Sequence, residues 1–324
     1  MNHPLHRDRF VLRGLRVETC RTGQPFTACK LSLASSGASW PAYWWQRFPY
    51  STIWPDGVEV VATVRPRRRN DCWVLDVLDL EVAALATSVP DPVSRQLPFP
   101  QWLLPTTEQP LLLRQLWAQL SMMQDPWLRA LNQRILHDPD ISVRWVRVPA
   151  SRSHHHAEPS GLLRHSVEAM NLVPQSAQLS PQEWEIARTA VLWHDVGKIL
   201  AYPGLARRGP AEGELSGHEM AITEVLAAHL AWLRQRAPEL VTALKLHWYP
   251  PRYGRPLMPG RILVEACDRV SAALDSREQV FLGQPDWRQW GQLEGPGPVT
   301  RFWRLRKGLS GASPSPHLQR SDHQ

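Results

Sequence analysis

Histidine and aspartate recur beside apolar helical residues through the second half of this 324-residue chain, in an order that suits divalent-metal chemistry. The contiguous His154-His155-His156 is followed, after AEPSGLLR, by His165. His194-Asp195-Val196-Gly197-Lys198 closes an apolar run, and Gly217-His218-Glu219, Leu246-His247-Trp248 and Cys267-Asp268-Arg269 come later. Flanks such as VLWHD, LKLHW and VEACD turn these side chains inward, where imidazoles and carboxylates are costly unless paired or metal-bound. One of them alone would read as a satisfied core polar group. Five or six in one helical domain, all His or Asp, argue for metal ligation. A His and an Asp adjacent at one helix end can serve two ions, the carboxylate bridging them while the imidazole binds one.

Lys198 adds to this pattern. The 37 basic residues comprise 33 Arg and only 4 Lys, so arginine is the compositional default and an ammonium here is specific. A compact positive charge three residues after His-Asp suits stabilisation of a phosphoryl oxyanion. The alternative is a cation at a helix C-terminus after Gly197.

These residues need helices to present them. Ser180-Pro181-Gln182-Glu183 carries three agreeing start signals, a Ser cap, Pro at the first position and Glu reaching back. The helix it opens should run through Trp184, Ala187, Val191 and His194. Residues 9 to about 82 read instead as short strands (RFVLRGLRV, PFTACKLSL, GVEVVATVRP, CWVLDVLDLEV) separated by turn signals. Four or five strands without intervening helices predict a small barrel or sandwich. Between the second and third lies an aromatic cluster, Trp40, Tyr43, Trp44, Trp45, Phe48, Tyr50 and Trp54. It either plugs the barrel end or docks onto the next domain, or forms a stacking platform for bases beside the basic run Arg65, Arg67, Arg68, Arg69. Residues 83 to about 110 are proline-rich and read as a linker. The last stretch, KGLSGASPSPHLQRSDHQ, has the composition of disorder.

The ordered set HHHAEPSGLLRHS, VLWHDVGK, GELSGHE, LHWYPPRYGRPLMP and EACDRVSAALD resembles the HD metal-dependent phosphohydrolase superfamily, an all-helical fold. It is most similar to YhaM-type 3′→5′ exoribonucleases, which join an N-terminal OB-fold to an HD domain. GQPFTACKLSLASSG and the connector MMQDPWLRALNQRIL resemble the corresponding parts of that family. The resemblance implies a multi-domain α+β chain, a small OB-like β-barrel followed by an all-α HD domain. The divisions are 1–95 for a nucleic-acid-binding β domain, 96–140 for proline-rich linker and connector helix, 141–295 for the HD domain and 296–324 for a basic, disordered tail. It implies two divalent ions held by His165, His194, Asp195, His218, His247 and Asp268, manganese first, with iron, cobalt or magnesium as alternatives. Asp195 would bridge the ions and Lys198 would neutralise phosphate charge. Trp44, Trp45, Arg67, Arg68, Arg69, His155 and His156 are the expected nucleic-acid contacts. The implied activity is hydrolysis of single-stranded RNA or DNA by a metal-activated water, as a 3′→5′ exoribonuclease-like nuclease. The family usually has two adjacent histidines where this chain has His247-Trp248.

A second resemblance competes. PASRSHHHA with GLLRHS and HDVGK is also similar to the MobH (TraI-type) relaxases of conjugative elements, which usually carry a long further C-terminal region. A nucleotide phosphohydrolase and a non-catalytic binding protein are the remaining readings.

Composition sets the outer bounds. With 43% apolar and 21% charged residues, the chain builds a real core. No run approaches the roughly 18 uncharged apolar residues of a membrane span. The opening MNHPLHRDRF lacks the apolar run of a secretory signal, and the cytoplasm is the expected compartment. Cys20, Cys29, Cys72 and Cys267 form no CxxC pair, which argues against a disulfide scaffold or a thiolate zinc site. The net charge of +7 is compatible with a polyanionic partner, although GC-rich coding also raises arginine.

Overall fold

A computed structural model of the protein describes residues 4–45, 54–70, 72–86, 97–151, 155–175, 178–201, 218–249, 258–293 and 299–305. Its N-terminal part is a closed five-stranded barrel, the OB-like barrel expected from the sequence. The strands are β1 (His6–Thr19), β2 (Pro25–Leu33), β3 (Ser39–Trp44), β4 (Val58–Arg69) and β5 (Cys72–Val82). They follow one another around the barrel in the order β1-β2-β3-β5-β4, with β4 paired back onto β1. All pairs are antiparallel except β3 with β5. Alternation drives this layer, since Val58, Val60, Ala62 and Val64 of β4 point inward and meet Phe10, Leu12 and Leu31. The long β1 serves two partners because it bends at a bulge between Arg13 and Arg16, where Gly14 takes a φ of 59°.

The aromatic stretch supplies β3. In SWPAYW the odd and even residues separate, so Ala42 and Trp44 enter the core while Tyr43 lies on the outer side. Trp44, expected beside Trp45 on a nucleic-acid face, is a core residue for that reason. Trp54 closes the barrel floor and donates its indole N–H to Asp140 at 3.2 Å. Phe48 and Tyr50 lie outside the described residues.

The segment read as a linker is partly structural. A 3-10 turn at Gln101–Thr106 buries Trp102 and Leu103 against the barrel. His137 donates to the carbonyl of Pro98 at 2.8 Å and Arg134 to that of Ala84 at 2.7 Å, which ties this stretch and the end of the barrel to the helices.

Ten helices follow among the described residues: α1 (Pro110–Ser121), α2 (Pro126–His137), α3 (Pro139–Trp145), α4 (Gly161–Asn171), α5 (Pro181–Trp193), α6 (Lys198–Ala201), α7 (His218–Val225), α8 (Ala227–Arg234), α9 (Pro238–Trp248) and α10 (Gly260–Phe281). Where a single connector helix was expected before residue 140, there are two, α1 and α2. The expected start of α5 is present in full, with Ser180 and Glu183 bonding reciprocally in a capping box. A buried amide then keys α5 onto α2, as Asn132 accepts from the Trp193 indole at 2.7 Å and donates to Thr189 at 3.1 Å. A β-hairpin, β6 (Trp290–Leu293) and β7 (Thr300–Trp303), closes the described chain. β7 falls within the stretch expected to be a disordered tail. It is ordered by pairing with β6, and Phe302 is half-buried. Among the described residues no helix is long and apolar enough to cross a membrane.

Candidate metal centre

Four of the six expected ligands meet at one point. His165 comes from α4, His194 and Asp195 from the turn that ends α5, and Asp268 from α10. One ligand atom from each lies within 4.8 Å of the others. His165 Nε2 stands 3.4 Å from His194 Nε2, 3.4 Å from Asp195 Oδ2 and 3.1 Å from Asp268 Oδ1. His194 Nε2 is 3.4 Å from Asp195 Oδ2 and 3.5 Å from Asp268 Oδ1. Atoms about 2.0–2.2 Å from one shared cation stand roughly 3.0–3.5 Å apart at right or tetrahedral angles, so this donor set fits a divalent ion.

Both imidazoles are aimed by their other nitrogen. His194 Nδ1 donates to the carbonyl of Val191 at 2.6 Å, and His165 Nδ1 is hydrogen-bonded to Ser271 Oγ at 3.1 Å. Each ring therefore turns Nε2 toward the cluster, the usual arrangement around a metal. The charges agree. Burial works against a charged His165, but its hydrogen bonds to Asp195 and Asp268 outweigh it and raise the imidazole to about 9. Despite burial, the bonds from His165 and His194 hold the Asp268 carboxyl well below the ordinary carboxylate range. Two carboxylates therefore favour positive charge where the imidazoles converge, and a cation can supply it.

The histidine loop packs behind this point. Burial pushes His155 down to about 4, helped by the charges of His165 and Lys198, and its ring centre lies 5.5 Å from that of His165. His156, expected as a nucleic-acid contact, is only 1% exposed and cannot serve as one. Its ring sits between Asp275 and Glu168, 3.5 Å from Ser271 Oγ, so it backs the hydroxyl that orients His165. His156 also holds a φ of 47°, a strained backbone of the kind found at functional sites. His154 lies outside the described residues.

Gly161 is what allows the loop to close. A Cβ there would stand 2.0 Å from the carbonyl oxygen of His156, itself bonded to the Ala150 amide. Because both sides are backbone, neither can yield. Gly161→Ala is expected to cost about 3 kcal/mol or more, measured by denaturant unfolding, and to weaken metal binding with it. A variant of wild-type stability would show that the loop is not packed this way.

The other expected residues are arranged differently. Lys198 opens α6 and its Nζ lies 2.6 Å from Asp195 Oδ2, on a ligand atom itself. His247 is buried, but its Nδ1 donates to the carbonyl of Ala243 and its Nε2 faces Gly260, where a Cβ would come within 2.2 Å. It is not among the four converging ligands. His218 opens α7, and its side chain lies outside the described part of the structure.

Sequence reasoning missed four residues here. Ser271 and Asp275 follow Asp268 by three and seven positions, a spacing that keeps them on one helix face. Arg261 and Glu265 precede it by seven and three, and with His194, Asp195 and Asp268 they line a cavity of about 140 Å³. Arg261 donates to the carbonyls of His247 and Trp248 and pairs with Glu265 at 2.7 Å, while its buried Nε has no hydrogen-bond partner.

On the barrel, Trp45 is 47% exposed and stacks on Phe26 with ring centres 5.0 Å apart, Tyr43 lying beside it. Arg67 sits over Trp45 and Arg69 over Tyr43, at 5.9 and 5.7 Å. Arg68, between them on β4, is exposed and takes the opposite side by alternation.

The TraI_2 family, described as a "putative helicase", matches residues 94–201. That is about one third of the chain. The matched segment contains His165, His194, Asp195 and Lys198, and it stops before Asp268. No curated protein and no solved structure matches the chain.

Proposed function

We propose that the protein is a metal-dependent phosphodiesterase acting on single-stranded nucleic acid in the cytoplasm, related to the TraI-type relaxases of conjugative elements and directed at DNA. The observation that carries this reading is the convergence of His165, His194, Asp195 and Asp268, with both imidazoles aimed by outer partners. When bound there, a divalent ion, manganese first, supplies Lewis acidity for hydrolysis of the phosphodiester. Iron, cobalt and magnesium are the alternatives, and imidazole with carboxylate suits all of them.

The protein's own groups prepare the rest. Lys198 and Arg261 flank the ligands with positive charge that a phosphate would meet. Glu265 holds that guanidinium in place. The barrel supports the strand through the Phe26, Tyr43 and Trp45 surface, with Arg67 and Arg69 for the backbone. The 3′→5′ exoribonuclease reading uses the same chemistry. The TraI_2 match over the residues bearing three of the four ligands favours the relaxase-related one.

The test is incubation of the manganese-loaded protein with single-stranded DNA and RNA labelled at either end, with the products resolved on a gel. Discrete internal cleavage of DNA is the expected result. A ladder shortening RNA from its 3′ end would restore the exoribonuclease, and no cleavage of either strand would remove the phosphodiesterase.

A further inference from the structure

The β6–β7 hairpin has one face that packs and one that nothing described covers. Gly291 and Phe302 oppose each other across the ladder on the packed face. Gly291 abuts Val280 and Phe281 of α10, so close that a Cβ would come within 2.2 Å of Val280. Arg304 clamps the far end, with its guanidinium 4.4 Å over the Phe281 ring and bonds to the carbonyls of Gln284 and Pro285. Two strands of four residues are marginal by themselves, and this anchoring makes the hairpin a rigid fixture of α10.

The outward face is built from two cross-strand pairs, Trp290 with Trp303 and Gln292 with Arg301. The indoles are 62% and 52% exposed, and the nearby Trp287 is 71% exposed. Beside them a cleft of about 560 Å³ is lined by Arg288, Trp290, Gly291, Gln292 and Arg301. Among the described residues this face carries flat rings, guanidinium and amide and no carboxylate, with Val299 and Leu305 exposed at its ends. Across the described residues 285–293 and 299–305 there are three arginines against one acidic residue, Asp286.

We propose that this face is a binding site for single-stranded nucleic acid, separate from the barrel surface. Exposed rings accept successive bases whatever their sequence, and arginines between them meet the phosphates. A protein partner would also value tryptophan, but a guanidinium beside the rings and no carboxylate among the described residues of the face favour a polyanion with aromatic units. The position suits a strand that also visits the metal centre, because Phe281 lies 13 residues beyond Asp268 on one helix, about 20 Å along its axis. The inference shares its substrate class with the function proposed above and is independent of the chemistry proposed there.

The experiment is fluorescence anisotropy of the full chain with labelled oligo(dT) and oligo(U), in chelator so that hydrolysis cannot intervene. Trp290→Ala with Trp303→Ala is expected to weaken binding at least about 10-fold without moving the melting temperature. Arg301→Glu leaves both indoles in place and should weaken binding while flattening its dependence on salt, as one phosphate contact is lost. It serves as the deciding variant if the double substitution unfolds the hairpin. Unchanged affinity in folded variants overturns the proposal. So does a change of oligomeric state on substitution with affinity retained, which would make the face a protein interface. Binding that survives in a protein unable to cleave would remove the phosphodiesterase and leave the hairpin site standing.

Discussion

Asp195→Ala is expected to lose its divalent ion and its hydrolytic activity together. Asp195 Oδ2 lies 3.4 Å from both ligand nitrogens and accepts from Lys198, so it faces the metal position from the best-connected corner of the cluster. Removing an outer-shell partner of a metal commonly costs 10–100-fold in affinity or activity, and removing a ligand should exceed that, about 10³-fold or more. The substitution also strands the Lys198 ammonium, whose side chain is only 13% exposed. Asp195→Asn, which keeps the shape and an acceptor for Lys198, separates the lost ligand from a local packing defect. Metal content by elemental analysis and phosphodiester turnover are the two readings. A folded variant that retains its metal while losing turnover, or the reverse, would break the coupling on which the site rests.

Lys198→Met should reduce kcat by about 10²–10³ while leaving substrate affinity close to wild type, with metal content measured alongside. The alternative, a cation that merely caps a helix, fits the structure poorly. α5 ends at Trp193, and Lys198 is the first residue of the separate short helix α6. Its 2.6 Å contact instead fixes it on the Asp195 carboxylate, from which the proposed reaction would draw on its charge. A structural role alone would lower stability by up to about 1 kcal/mol, read as a fall in melting temperature, and spare turnover. Lys198→Arg, which restores charge with a different shape, should recover part of the rate. A metal-replete Met variant with wild-type kcat would remove Lys198 from the reaction.

Most of the candidate centre was legible because its residues are chemically conspicuous. An imidazole or carboxylate amid apolar helical neighbours must find a partner, and His165, His194, Asp195 and Asp268 find one another. His247 obeys the same logic with a different outcome, since its Nδ1 donates to its own helix and its Nε2 faces the space that Gly260 leaves. Nothing in LKLHW distinguishes the two cases; the glycine at the start of α10 does, and it becomes informative only once α9 and α10 are known to touch. Trp44 and Trp45 show the limit of reading clusters by composition, because consecutive residues of a strand serve opposite faces. The strands themselves were visible, apart from β3, which hid inside an aromatic run with a proline in it. Their circular order was not, for the parallel pairing of β3 with β5 joins segments some thirty residues apart. Ser271, Asp275 and Arg261 could have been found by stepping three and seven residues from Asp268. Their types alone gave no reason to look.

The barrel floor has a further consequence. Trp54, Trp102 and Leu103 belong to the same continuous core as Leu116, Leu131 and Trp193, so no solvent layer separates strands from helices. Two bodies sharing one interior melt as one. Heating should therefore give a single calorimetric transition, and an ion captured by α4, α5 and α10 should protect amides of the barrel from hydrogen exchange, although no barrel residue touches it. The same continuity makes the barrel more than a detachable strand-binding module, since its removal would leave Leu103 and its neighbours facing water.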